Sequence, residues 1–308
     1  MRAFLQRALM AIACFVVLPA PRPMAQEPET VRFSFAPTEG EQWIRTGEHV
    51  SIRDLGNSQP ISETRTLHEL SLEYRRGDEG WAVVQIARRA QLLVDGVERA
   101  SNAMQQTIGL PITLRVDESG KAVAAEGFRG LMRRFEDELP PAEFEIVSSQ
   151  MSQERFEQTE IRGWNKKLDL VRGETVQIGE KWRVKDYHVV GQSALPVEGV
   201  VRFEGWAEFD GSRAFKILYD ADNQGRALRR HGEGVSRTID LTGAAGSDAR
   251  DNLDIRLTRV VMVIPETGQV IYLSDEDQVD LQSNEFKDMP GTEGHFETRN
   301  IERWKRAD

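Results

Sequence analysis

The tetrapeptide Gly-Glu-x-Trp occurs twice, as GEQW at Gly40–Trp43 and GEKW at Gly179–Trp182, 139 residues apart. Similar features follow each copy in the same order. The first opens the strand pattern WIRTGEHVSI and the second opens WRVKDYHVV. A strand pair across a polar turn comes next, LSLEYRRGDEGWAVVQIA in one half and VRFEGWAEFDGSRAFKILY in the other. Each half closes on two apolar strands about a glycine turn, ITLRVDESGKAVA and VMVIPETGQVIYL. Such recurrence predicts a duplicated unit, each copy too small to bury its own sheet and the two completing one core.

The strand patterns fix the type of sheet. In HELSLEY, His68, Leu70, Leu72 and Tyr74 share one face and Glu69, Ser71 and Glu73 the other. In VVRFEGWAEF the same alternation opposes Val201, Phe203, Ala207 and Phe209 to Arg202, Glu204, Trp206 and Glu208, leaving the Trp206 indole facing outward as a contact surface. Strands wet on one side pair antiparallel, since parallel strands are usually buried on both faces. Gly and acidic residues in RRGDEG, VDESGK, FDGS and PETGQ supply the turns.

Between the halves, Phe128, Leu131, Met132, Phe135 and Leu139 follow helical spacing until Pro140 and Pro141. Ser152 reads as the cap of a further helix running through Phe156 to Trp164. The expected fold is α+β and mostly antiparallel β: two pseudo-repeated curved sheets with a central helical segment packed on a concave face. Its divisions are residues 1–25 as an export signal, 26–126 as the first β-rich repeat, 127–165 as the helical segment, and 166–308 as the second repeat with a C-terminal tail.

The amino terminus carries Arg2 and Arg7, then an uncharged run Ala8–Ala20, then Pro21, Pro23 and Ala25, the layout of a secretory signal. Cys14 lies inside that run instead of closing it, so it reads as part of the apolar segment and not as a lipidation site. Removal of the segment takes away three arginines and moves the formal charge from −10 to −13. No cysteine then remains for a disulfide, a thiol nucleophile or a thiolate metal site. The acidic balance argues against nucleic acid and anionic membranes as partners. No later run is long and apolar enough to span a bilayer.

LVRGETVQIGEKWRV at 170–184, preceded by MSQERF at 151–156, resembles a family of uncharacterised exported bacterial proteins, a domain of unknown function with a vGdsW-like signature after a helical segment. Glu180-Lys181 stands where that family commonly has Asp-Ser. The resemblance brings no established activity, so it assigns no functional residue.

The candidate catalytic and metal motifs are each broken. His68-Glu69 begins H-E-x-x-H, but Leu72 occupies the second ligand position. DADNQG offers Asp220, Asp222, Gln224 and Gly225 for a calcium loop and then His231 where a bidentate carboxylate is required. Asp275, Glu276, Asp277 and Asp280 read as a solvated acidic turn or a cation site. GQSAL at 191–195 lacks the closing glycine of a serine elbow, and Gly232–Arg237 lacks the last glycine of a dinucleotide loop. No catalytic, cofactor-binding or metal residue is therefore assigned. The expectation is a periplasmic or secreted, non-catalytic envelope protein binding an apolar or amphipathic small molecule or a partner protein. The alternatives are an exported hydrolase with a carboxylate site and a structural protein of the envelope.

Overall fold

The computed structural model describes residues 29–54, 61–150, 152–169, 174–190, 193–223, 252–282 and 293–307. The export segment 1–25, the Gln224–His231 part of the calcium pattern and Gly232–Arg237 lie outside them, as does Gly191 of the serine-elbow pattern.

Antiparallel strands dominate. In the first half β2 (Gln42–Asp54), β3 (Ser62–Gly77) and β4 (Gly80–Val94) form a meander that continues through β6 (Pro111–Val116) to β7 (Ala122–Glu126), with β5 (Val97–Arg99) beside β4. In the second half β9 (Lys181–Val190), β10 (Ser193–Phe209), β11 (Ser212–Asp222), β12 (Asn252–Ile264) and β13 (Gln269–Gln282) do the same. At the β10–β11 turn, Asp210 and Gly211 both take positive φ, 47° and 76°, the backbone that an Asp-Gly hairpin favours.

Two sheets were expected, but all these strands join one 12-stranded sheet. The joint is β14 (Glu293–Arg306), the stretch read from sequence as a tail, which pairs with β2 on one side and β13 on the other. It satisfies the backbone groups that a separate sheet would leave open at either edge. Its strand character is hard to read because one phase holds Phe296 and Trp304 but also Thr298, Asn300 and Glu302, so polarity does not alternate.

A small ribbon of β1 (Thr30–Arg32) and β8 (Thr175–Gln177) lies apart, with Val31 opposite Val176. It joins the sheet's core through Phe33, whose ring meets Phe215 edge-on at 5.6 Å. The helices are α1 (Asn102–Thr107), α2 (Phe128–Glu138), α3 (Pro141–Gln150) and α4 (Gln153–Lys166). The helical phase read from sequence holds: Phe128, Leu131, Phe135 and Leu139 are buried, and Ser152 Oγ accepts from Arg155 N at 3.3 Å. Residues of both halves, of the ribbon and of α2 share one hydrophobic core.

The two signatures make the same hydrogen bonds. Gly40 N donates to Tyr74 O (2.8 Å) and Tyr74 N to Glu41 O (3.0 Å); Gly179 N donates to Phe203 O (2.7 Å) and Phe203 N to Glu180 O (3.1 Å). In both, the glutamate carboxylate accepts from the backbone N–H three residues earlier, of Thr38 or Gln177. Gly40 and Gly179 hold φ of 77° and 85°, which explains the glycine in each copy.

Trp206 departs from the expectation. A bulge between Phe203 and Gly205 inserts one residue and moves the rest of the strand to the opposite phase. Trp206 thereby joins Phe215 at 5.7 Å, carries Arg213 on its ring and donates to Glu29 at 2.8 Å. It is a core-edge residue and not a free contact surface.

Candidate functional site: a polar lane on the inner face

The face bearing Leu72, Phe203, Phe215 and Leu273, called inner here, is not apolar throughout. Over β10, β11 and most of β12 it carries Val201, Phe203, Ile217, Val261 and Ile255, all nearly inaccessible. Over β3, β2, β14 and β13 the register puts polar groups in line: His68 opposite Gly47 and Gly47 opposite Glu302; His49 opposite Asn300 and Asn300 opposite Asp275; Ser51 opposite Thr298 and Thr298 opposite Asp277. We call this strip the polar lane. The residues just after α4 reach it from above.

Two carboxylates anchor the lane. Glu302, 8% exposed, lies 3.1 Å from Lys167 Nζ and 3.7 Å from Arg45. Burial alone would raise its carboxyl, but Lys167 and Arg45 outweigh burial and pull it down to about 2. Lys167, itself pushed below its ordinary value by burial, also lies 4.8 Å over the Trp304 ring. Beside it a cavity of about 20 Å³, lined by Tyr74, Trp164, Lys167, Gln269 and Trp304 among others, has room for a water molecule. Asp275 takes Lys166 at 2.5 Å and Arg259 Nε at 3.1 Å. Burial again works against its ionisation, and Arg259 and Lys166 overcome it, so the carboxyl stays below its usual value.

The histidines behave differently. Burial, then the nearby Arg45, lowers His68 to about 4, so the ring is neutral at pH 7. Its Nε2 and the Nε of Arg45 have no hydrogen-bond partner among the described residues. Partial loss of hydration lowers His49, which still reaches solvent, and burial lowers His188. His188 Nδ1 stands 3.9 Å from Asp277, whose carboxyl is raised by burial and then by Asp275. At the lane's far side Tyr219, pushed up to about 12 by burial and Asp186, donates to Asp186 at 3.4 Å.

His68 is a packed inner-face residue, in line with Leu70 and Leu72 as its strand phase implied. Other sequence candidates land elsewhere than expected. Asp275 and Asp277 do not form a solvated turn but point inward from the middle of β13, while Glu276 and Asp280 take the other face. Asp220, from the calcium pattern, sits within β11 and pairs with Arg202. Among the described residues no group of three His, Cys, Asp or Glu could hold a metal ion. Reading the sequence missed the gathering of His49, His68 and His188 with Glu302, Asp275 and Asp277. They come from several strands of both halves, and the one available signal was that His49 and His68 fall in the same strand phase as buried tryptophan and leucine.

No family model and no curated protein matches the chain. Solved structures give distant likenesses. One, described as lipid-protein interactions in lipovitellin, is 10% identical with a TM-score of 0.44; the match covers 88% of this chain and 26% of that one, so the chain spans about a quarter of it. A putative outer membrane lipoprotein-sorting protein domain from Vibrio parahaemolyticus is 9% identical over 86% of this chain and 85% of that one, with a TM-score of 0.21. A DUF1329 family protein from Desulfovibrio piger is 11% identical, covering 85% and 83%, at 0.15. At these TM-scores the likenesses carry no argument, and the functional reading rests on the geometry of the inner face.

Proposed function

We propose that this is an exported, non-catalytic envelope protein that binds an amphipathic ligand at the inner face, its head group in the polar lane and its apolar part along the half-buried stretch beside it where Thr66 and Leu92 pair. One observation carries the reading: a continuous sheet face passes from a sealed, mostly apolar core over β10–β12 to a less deeply buried lane of hydroxyl, amide, imidazole and carboxylate groups. Small-molecule sites are commonly built this way, apolar walls with a few fixed polar groups. Periplasmic or secreted location is suggested by the N-terminal segment and belongs to the same proposal, as does the copying of one unit into two halves, supported by the matching bonds at Gly40 and Gly179.

Native mass spectrometry of protein isolated from the cell envelope tests the reading. A co-purified amphiphile that leaves on activation, with a mass found in the lipid extract, supports it. A ligand-free spectrum, together with no uptake of added detergent monomers, contradicts it.

A carboxylate hydrolase is the second reading. Its single support is that Asp275 and Asp277 share a face two residues apart with carboxyls shifted in opposite directions, an arrangement that separates a base from an acid. Turnover of a chromogenic glycoside or ester, lost in both Asp275→Asn and Asp277→Asn, would establish it.

A further inference from the structure

The charges of the lane are unevenly matched. Arg45 and Lys167 share Glu302, and Arg259 and Lys166 share Asp275. Among the described residues Asp277 has no such cation: its nearest basic group there is His188 at 3.9 Å, the Asp277 side chain being 23% exposed and that of the histidine 16%. Lys166 and Arg259 act on Asp277 at longer range, but both are bonded to Asp275. Around Asp277 stand Thr298, directly opposite on β14, then Ser51 on β2, and the exposed His49 one step along β2. A neutral imidazole offers one ring nitrogen as an acceptor, and hydroxyl oxygens accept as well. Among the described residues, what this end of the lane lacks is a donor bearing positive charge within bonding distance of Asp277.

We propose that the Asp277 end of the lane receives a primary ammonium group, carried by the head of the amphipathic ligand. The proposal rests on the binding reading above and narrows it to one head-group class. A primary ammonium has three N–H donors and no acceptor, matching one carboxylate, one neutral histidine and one hydroxyl. The carboxylate–ammonium contact is charge-assisted and partly screened from water, so it adds to whatever the apolar part contributes. An anionic head is disfavoured at this end, because it would stand against the Asp277 carboxylate.

The test uses three amphiphiles with the same twelve-carbon chain, each below its micelle concentration: dodecylammonium, neutral dodecyl maltoside and dodecanoate. Calorimetry or tryptophan fluorescence reads their affinities for the purified protein, for Asp277→Asn, and for Glu126→Gln, which removes a remote exposed carboxylate from the acidic chain. The expected result is dodecylammonium at least about tenfold tighter than the maltoside in the wild type and in E126Q. In D277N that preference falls to within about twofold, while maltoside binding is kept. Dodecanoate binding as tightly as dodecylammonium, or a preference that survives D277N, overturns the proposal and leaves amphiphile binding standing. Failure of all three to bind overturns both.

Discussion

The imidazole of His68 lies across the bare backbone of Gly47 on the neighbouring strand, so close that a β-carbon on Gly47 would fall 2.0 Å from Nε2. Gly47 is extended, and its glycine is explained by space and not by φ. Gly47→Ala should therefore lower stability by about 1–3 kcal/mol through overpacking. Adding His68→Ala should restore part of that loss. Urea denaturation of the single and double variants reads both effects, and a Gly47→Ala protein as stable as wild type would contradict the packing.

Glu302 should matter more than any exposed acid. Replacing it by Gln leaves Lys167 and Arg45 buried without their anion, a loss of about 3–5 kcal/mol. The pH dependence has a definite sign. The folded carboxyl sits at about 2 against an ordinary 4.5, so its contribution is fully present above the unfolded value and disappears as pH falls toward 2. The shift corresponds to about 3 kcal/mol. Equilibrium unfolding from pH 5 to 2 should show that slope in wild type and a flatter one in Glu302→Gln.

His68 acts in the adjoining window. Its folded value, about 4, lies below the ordinary 6.5, so between these values the unfolded chain takes up a proton that the folded protein refuses. Stability should fall as pH drops from 6.5 to 4, by up to about 3 kcal/mol. In His68→Gln that slope should shrink, as measured by melting temperature across the range. An unchanged slope would place the ring in water.

Gly40 and Gly179 offer a paired test of the two signatures. Both have open space where a β-carbon would stand and both hold positive φ, so alanine meets only backbone strain, about 1–2 kcal/mol at each. Similar losses in the two single variants are expected by chemical denaturation. A costly change at one and a neutral one at the other would separate their structural roles.

Much of the fold was legible because its signals are local. The phase of Phe128, Leu131 and Phe135, the Ser152 cap, the Asp-Gly turn at 210–211 and the twin signatures each depend on a few neighbouring residues. The joining of the halves was not, because β14 presents Thr298, Asn300 and Glu302 inward, and their polarity makes sense only opposite His49, Asp275 and Lys167. Trp206 was misplaced for a related reason: one extra residue at the bulge reverses the phase, and Gly205 is a weak marker of it. The lane itself is a product of register between two strand pairs, β2–β3 and β13–β14, that lie about 190 residues or more apart in the chain, which no short pattern encodes.

The most direct test is photo-crosslinking with a dodecylamine analogue carrying a diazirine on its chain, followed by peptide mapping. Label concentrated on half-buried inner-face residues in and beside the lane, such as Thr66, Leu92 and Thr298, and displaced by unlabelled dodecylammonium, is the predicted result. Label spread over the outer face, or undiminished by competition, would contradict an amphipathic site on the inner face.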